Sequence, residues 1–352
     1  FNFNQEFTLQ FGVKINDNFE YINLGIFKGE RPEKVRGKLI NFSAYDRMVY
    51  FDISAEEFIT GLTFPTTLGE IYQNLCSFVG VNPVSLTFIN SDKQYTFNPF
   101  FFLYYTAREI LAWTAEAAGA YARFNSAGNV ELTWYANKNH TILKTDRFEM
   151  TESDFTTPAI DRLEVYNSYS DQLVTSGTGS NTYVISDNPF LYIENDTEIE
   201  GLQPFVNQIY NRLITFPAYN PSSLRAEWYP EIKCGDIISV VDDYGSTINF
   251  PVFSQTITWK GFGKVEYENT GGLTREIEPI RQRELEELKK NMLRTTDLYT
   301  SISSYLNTQE GKASITSAVG GEFVKISDGS SLTATNEIEQ LVQNTEDGIN
   351  NK

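Results

Sequence analysis

Two short helices are written into a chain that otherwise reads as strands. At Thr67 with Glu70, and again at Thr106 with Glu109, the sequence carries a capping box. In such a box a threonine hydroxyl and a glutamate three residues on each satisfy a backbone N–H that the first helical turn would orphan. Behind the first box, Leu68, Ile71, Tyr72, Leu75 and Phe78/Val79 recur at helical spacing up to a stop at Gly80. The second copy aligns with the first without a gap, Ile110 on Ile71 and Gly119 on Gly80, through internal duplication or convergent capping. Next comes "AYARFNSAGNVELTWY", a hairpin with a Ser-Ala-Gly turn, and the Ala-rich "AEAAGA" would let it approach the second helix closely. The spacing predicts a small α/β module of two helices and a hairpin over residues 63–152.

Strand patterning fills both flanks. Before the module, short alternating runs such as "EFTLQFGVKI" and "KLINFSAYDRMVYFDI", separated by turns at Gly25, Gly29 and Pro32, predict a first β-barrel-like domain over residues 1–62. The chain opens on Phe1 rather than Met, so this domain is read as N-terminally incomplete. After the module, "RLEVYNSY", "NTYVIS", "SLRAEWY", "DIISVVDD", "FPVFSQTITWK" and "GKVEYEN" predict a second β-barrel-like domain over residues 153–274. One helix interrupts it, with Val206, Ile209, Tyr210 and Leu213 on one face. The fold class expected is therefore mainly β with an α+β insert. With 26 Phe and 20 Tyr the chain is too apolar for disorder and well supplied for β packing.

Composition changes at Arg275. From Arg281 to Leu306 neither Gly nor Pro occurs, and Leu285, Leu288, Met292, Thr295, Tyr299, Ile302 and Leu306 alternate spacings of three and four, the seam of a coiled coil. At ~1.5 Å per residue this is a rod of about 40 Å. The competing reading is a helix docked on its own β-domain. Charged flanks at Glu284, Glu286, Glu287, Lys289 and Lys290 leave only a narrow apolar stripe, which fits a partner helix better. Residues 275–310 are read as the coiled-coil helix, and 311–352 as a Ser/Thr/Gly-rich stalk or junction.

Charge and chemistry narrow the function. With 28 basic against 46 acidic residues the net charge is −18, which repels nucleic acid and anionic membranes alike. No run of 18 or more uncharged apolar residues is present, so no membrane span is expected. The one histidine, His140, cannot supply the two or three imidazoles of a zinc hydrolase, and Cys76 and Cys234 read as packed thiols rather than a disulfide framework. Gly177-Thr178-Gly179 and Gly261-Phe262-Gly263 lack the continuation of a phosphate loop. Asp242-Asp243 is the most tempting carboxylate pair for glycosidase-type chemistry, though a β-turn explains it more simply. The sequons at Asn139 and Asn195 carry little weight without a secretory signal. No catalytic, cofactor or metal residue is assigned.

The order of the segments carries a resemblance. "GKLINFSAYDRM", "FPTTLGEIYQNLCSFVGV", "AREILAWTAEAAGAYARFNSAGNVELTWY", "IDRLEVYNS", "NTYVISDNPFL" and "PVFSQTITWKGFGKVEYENTGG" together resemble the hub proteins at the tip of phage and prophage tails. These include the tail-associated, prophage tail-endopeptidase-like proteins of Gram-positive phages and the baseplate hubs of contractile phages. The resemblance spans about residues 38–270. It implies a homotrimer whose two barrel-like domains per subunit form a pseudo-sixfold ring, adapting the hexameric tail tube to a threefold tip. The implied partners are the distal tail or tail tube protein ring and the spike, fibre or tape measure protein. The implied location is the virion tail tip, assembled in the bacterial cytoplasm, with a role in host-envelope penetration. Longer members carry a hydrolase domain that is not recognisable here. One alternative is therefore the structural head of a cell-wall hydrolase whose catalytic domain lies beyond residue 352. Another is a carbohydrate-binding receptor module using Trp228, Tyr229 and Trp259, aromatics that read more simply as core.

Overall fold

The computed structural model describes residues 5–270, apart from 32, 37–38, 101–102, 169, 193–195 and 260–262. The coiled-coil seam expected from Leu285 to Leu306 and the stalk after it lie outside the described residues.

The chain begins with a long antiparallel hairpin, β1 (Glu6–Ile15) and β2 (Asn18–Gly29). Asn16 and Asp17 turn it at φ of 47° and 68°, a left-handed pair that these short polar side chains tolerate. The register passes from Leu9↔Gly25 to Gln10↔Asn23, leaving Leu24 as an extra residue that bends the ribbon. A small ribbon follows, β3 (Glu33–Arg36) with β4 (Leu39–Asn41), and then β5 (Ala44–Asp46) pairs with the end of β2. Here the sequence pattern misleads. The run "KLINFSAYDRMVYFDI" does not continue as strand, because the Asp46 carboxylate accepts the Met48 N–H and caps a 3-10 turn over Arg47–Phe51. That turn buries Phe51, and a short helix α1 (Glu56–Gly61) comes after it.

The module forms as its capping grammar dictates. A two-residue strand β6 (Thr66–Thr67) leads into α2 (Leu68–Val79), where Thr67 N–H donates to Glu70 Oε2 at 2.8 Å and Glu70 N–H donates to Thr67 Oγ1 at 3.2 Å. After β7 (Gln94–Tyr95), which pairs with β6, helix α3 (Ala107–Ala117) repeats the same pair of bonds between Thr106 and Glu109, at 2.8 and 3.2 Å. Gly80 and Gly119 both take up positive φ just past the helix ends, as a left-handed stop requires. The hairpin β8 (Tyr121–Phe124) and β9 (Val130–Thr133) completes this part.

The next strands are β10 (Ala136–Ile142), β11 (Arg147–Glu152), β12 (Arg162–Asn167), β13 (Gln172–Gly177) and β14 (Thr182–Ser186). Helix α4 (Asp196–Leu213) follows, then β15 (Ser222–Glu227), β16 (Asp236–Val241), β17 (Thr247–Pro251), β18 (Ser254–Trp259) and β19 (Gly263–Glu268). Two cores organise them. In the first, Ile71, Tyr72 and Leu75 of α2 and Ile110 and Leu111 of α3 pack with Leu163, Val165, Val174 and Ile185 from the sheet β13-β12-β14, closed by Val206, Ile209 and Leu213 of α4. In the second, Ile142, Ile238, Val240 and Phe250 from the sheet β10-β16-β17 face Leu224, Ala226, Val265 and Tyr267 from the sheet β11-β15-β19-β18. The architecture is mainly β with few helices, as read from the sequence, but the expected barrels are not closed among the described residues. Burying one face of each sheet against the other satisfies the apolar alternation without closure, and β18 is left as an edge.

Candidate assembly surface

The residues that sequence reading weighed for chemistry sit in structural roles. Cys76 is buried in α2, and burial pushes its thiol up to about 12, far from a thiolate nucleophile at neutral pH. His140 lies in β10 with Nδ1 3.3 Å from Glu231 and its ring 4.6 Å from that of Tyr229. The carbonyl oxygen of Cys234 accepts from Arg123, whose Nε donates to Glu131 at 2.6 Å, so this thiol's segment ties the β8–β9 hairpin to the second core. Around Gly177 and Gly179 the space a phosphate would need is filled by Asp161 and Tyr210. Among the described residues no three His, Cys, Asp or Glu side chains converge as a metal site.

Asp242 is a turn residue: its Oδ1 accepts the N–H groups of Tyr244 and Ser246, both at 2.8 Å. Asp243 pairs outward with Arg147 at 2.9 Å and Lys144 at 3.4 Å. Both line a cleft of about 370 Å³ with Glu152, Asp154 and Asn220. Asn220 Nδ2 donates to Glu152 at 2.6 Å, so part of this acidic rim is internally committed.

The three aromatics proposed as sugar platforms part company. Trp228 and Tyr229 pack on the margin of the second core. Trp259, at the end of β18, remains 54% exposed. Phe11 of β1 meets both indoles edge-on, with ring centroids 4.7 Å from Trp228 and 4.9 Å from Trp259. This contact docks the hairpin on the second β region, and sequence periodicity held no sign of it.

Beyond that contact the hairpin becomes an arm. Every side chain described from Val13 to Asn23 is exposed. Phe19 and Tyr21 stack at a centroid separation of 6.1 Å and stand 59% and 62% exposed. Tyr21 lies directly over Gly12, where even a Cβ would come within 2.8 Å of its ring. Glycine at 12 thus seats an aromatic pair on one face of the arm. A two-stranded ribbon is marginal in water without something to pack on, and large apolar side chains on a protruding ribbon mark a contact surface. The arm leaves large apolar side chains exposed, and the outer edge of β18 is unpaired among the described residues.

No family of sequences matches the chain, and none of the curated proteins does. Among solved structures it is similar to the 43 kDa tail protein of prophage MuSo2 from Shewanella oneidensis, at 11% identity and a TM-score of 0.46, over 76% of this chain and 89% of that one. It is similar to the tail protein from Neisseria meningitidis MC58, at 9% identity and a TM-score of 0.44, over 76% and 87%. It also aligns with the p2 virion baseplate in its activated conformation, at 8% identity and a TM-score of 0.25, over 75% and 79%. The structural neighbours of this chain are phage and prophage tail proteins and a phage baseplate.

Proposed function

We propose that this chain is a structural protein of a phage or phage-derived tail, working by assembly and not by catalysis. The observation that carries the reading is the exposed aromatic arm, Phe19 with Tyr21, on a chain whose net charge of −18 would otherwise keep copies apart. The ordered segments of residues 38–270 support it through their resemblance to tail-tip hubs. The fuller form of the proposal is a homotrimeric hub at the tail tip, built from open β-sheets, a small α/β module and a C-terminal coiled coil. It mediates between the sixfold tail tube ring and a threefold tip that supports the spike or fibre during entry.

The coiled-coil seam gives the test. Replacing Leu288 and Ile302 together with Asp would bury unpaired carboxylates at a trimer axis, each costing several kcal/mol or taking up a proton. The expected outcome is a soluble, folded monomer that fails to cap tail tubes, against a trimeric parent by sedimentation. Trimers and infectious particles from the double variant would show that the helix docks on its own subunit.

A further inference from the structure

Two surfaces of this chain are matched in an uncommon respect: they carry almost no charge. Strand β18, Ser254–Trp259, reads SQTITW, without a single ionisable side chain, and every residue but Gln255 is exposed. Among the described residues it pairs with β19 alone, so its outer N–H and C=O groups face solvent. Exposed edges are ordinarily blunted by Lys, Pro or a bulge, and this one has none of them over its six residues. Ile257 and Trp259 stand on one face of it, 41% and 54% exposed.

The second surface is the arm. Its charged residues are Lys14, Asp17 and Glu20, and the first two neutralise each other at 2.8 Å. Strand β1 pairs only with β2 among the described residues, so the arm also has an open edge. The stacked Phe19–Tyr21 pair offers apolar area for Ile257 and for the part of Trp259 that Phe11 leaves open.

We infer that β18 receives the β1–β2 arm of a second copy of this chain, the arm adding to the open sheet edge while Phe19 and Tyr21 cover Ile257 and Trp259. The inference rests on the assembly reading above and names its contact. The net charge selects the occupant. Two bodies of −18 repel wherever carboxylates meet, and a neutral strand joined to a nearly neutral arm is the contact that avoids this. A basic partner would instead be drawn to the acidic surface elsewhere, such as the rim at Glu152, Asp154 and Asp243. Because the arm and the edge are different surfaces of one chain, the contact is head to tail, which gives a ring where the rotation between copies closes and a filament where it does not.

The test uses the full chain in sedimentation experiments. Ile257→Lys and Tyr21→Glu are each expected to weaken self-association by at least ~10-fold, since a lone charge would be placed in an apolar contact. Mixing the two singly substituted chains should restore a one-to-one pair, because the unaltered arm of the Ile257→Lys chain then meets the unaltered β18 of the Tyr21→Glu chain. Circular dichroism confirms that each exposed-site variant folds, and Ile257→Glu with Phe19→Lys replaces a pair that does not. Self-association unchanged by either substitution, or a mixture no more associated than its components, overturns the inference. So does a parent chain that binds a different protein at β18 and never itself. If Leu288→Asp with Ile302→Asp dissolves a trimer that Ile257→Lys leaves intact, the hub reading stands while this contact falls.

Discussion

Arg47 grips Glu6 through two hydrogen bonds, Nε to Oε1 at 2.7 Å and Nη2 to Oε2 at 2.8 Å. The Tyr50 hydroxyl donates to the same carboxylate at 3.0 Å, and Arg47 Nη1 donates to the Gly128 carbonyl at 3.0 Å. One guanidinium therefore joins the root of the arm, the 3-10 turn and the β8–β9 turn. Phe11 against Trp228 and Trp259 supplies the second anchor, so the arm leaves the body in a direction that two separate contacts define.

The hydrogen bonds from Arg47 hold the Glu6 carboxyl below the usual carboxylate range. A depressed folded-state pKa stabilises the fold above the unfolded pKa, and that contribution is lost as pH falls through the folded value. Both side chains keep partial solvent access, which screens the pair, so Glu6→Gln is expected to cost about 1 kcal/mol at neutral pH. The cost, read by urea unfolding, should shrink toward pH 3. A cost that stays the same across that range would mean the ionised carboxylate is not what anchors the arm.

Glu116 runs the other way. It lies in α3 facing Asn188, whose Nδ2 donates to Glu116 Oε2 at 2.9 Å and to the Trp113 carbonyl at 3.0 Å. Burial raises the Glu116 pKa against the lowering by that hydrogen bond. A raised carboxyl favours folding most where it is protonated in both states, and stability is lost as pH climbs from the unfolded toward the folded value. Glu116→Gln keeps an acceptor for Asn188 and removes the charge, so it should raise the unfolding midpoint at pH 7 and leave it unchanged near pH 4. Destabilisation at pH 7 would show that the ionised form is the one the fold uses.

Gly235 sits at φ of 93°, and a Cβ there would come 1.7 Å from the Tyr121 hydroxyl oxygen. Gly235→Ala is expected to lose more than ~2 kcal/mol, from left-handed strain and overpacking together. Adding Tyr121→Phe removes the atom that is struck and should recover part of the loss. If the second substitution recovers nothing, the backbone strain accounts for the whole effect.

His140→Ala removes a 3.3 Å contact with Glu231 and a ring contact with Tyr229. Its cost should stay within ~1 kcal/mol. Cell-wall lysis by particles carrying it should match the parent. Loss of lysis from a correctly assembled particle would overturn the non-catalytic reading.

How much of this was legible beforehand follows from how far apart the interacting residues lie. The two capping boxes, the left-handed stops at Gly80 and Gly119 and the β8–β9 turn are contacts within a few residues, and the residue types that satisfy them can be read directly. The strands after residue 160 were likewise visible, since alternation is a property of one segment. The 3-10 turn at Arg47 was missed because a single side chain, Asp46, outweighs a strand-like run of apolar residues. Helix α4 was visible as a helix, with Val206, Ile209 and Leu213 marked as its apolar face. That this face completes a core with α2 and α3 depends on partners far away in the chain.

The sequence by itself determined the local elements, the mainly β class and the excess of acid, because each is set by neighbouring residues or by simple counting. Only the tertiary structure decided that Phe11 meets Trp228 and Trp259, that Tyr21 lies on Gly12, and that β18 is an edge strand among the described residues. The first contact joins segments far apart in the chain, the second crosses the hairpin, and the third depends on which edge a sheet leaves open. Hydrophobic burial is non-directional, so a periodic pattern states that a face must be covered and leaves open what covers it. The arm and the bare edge became visible only once the two cores had taken up their own apolar faces.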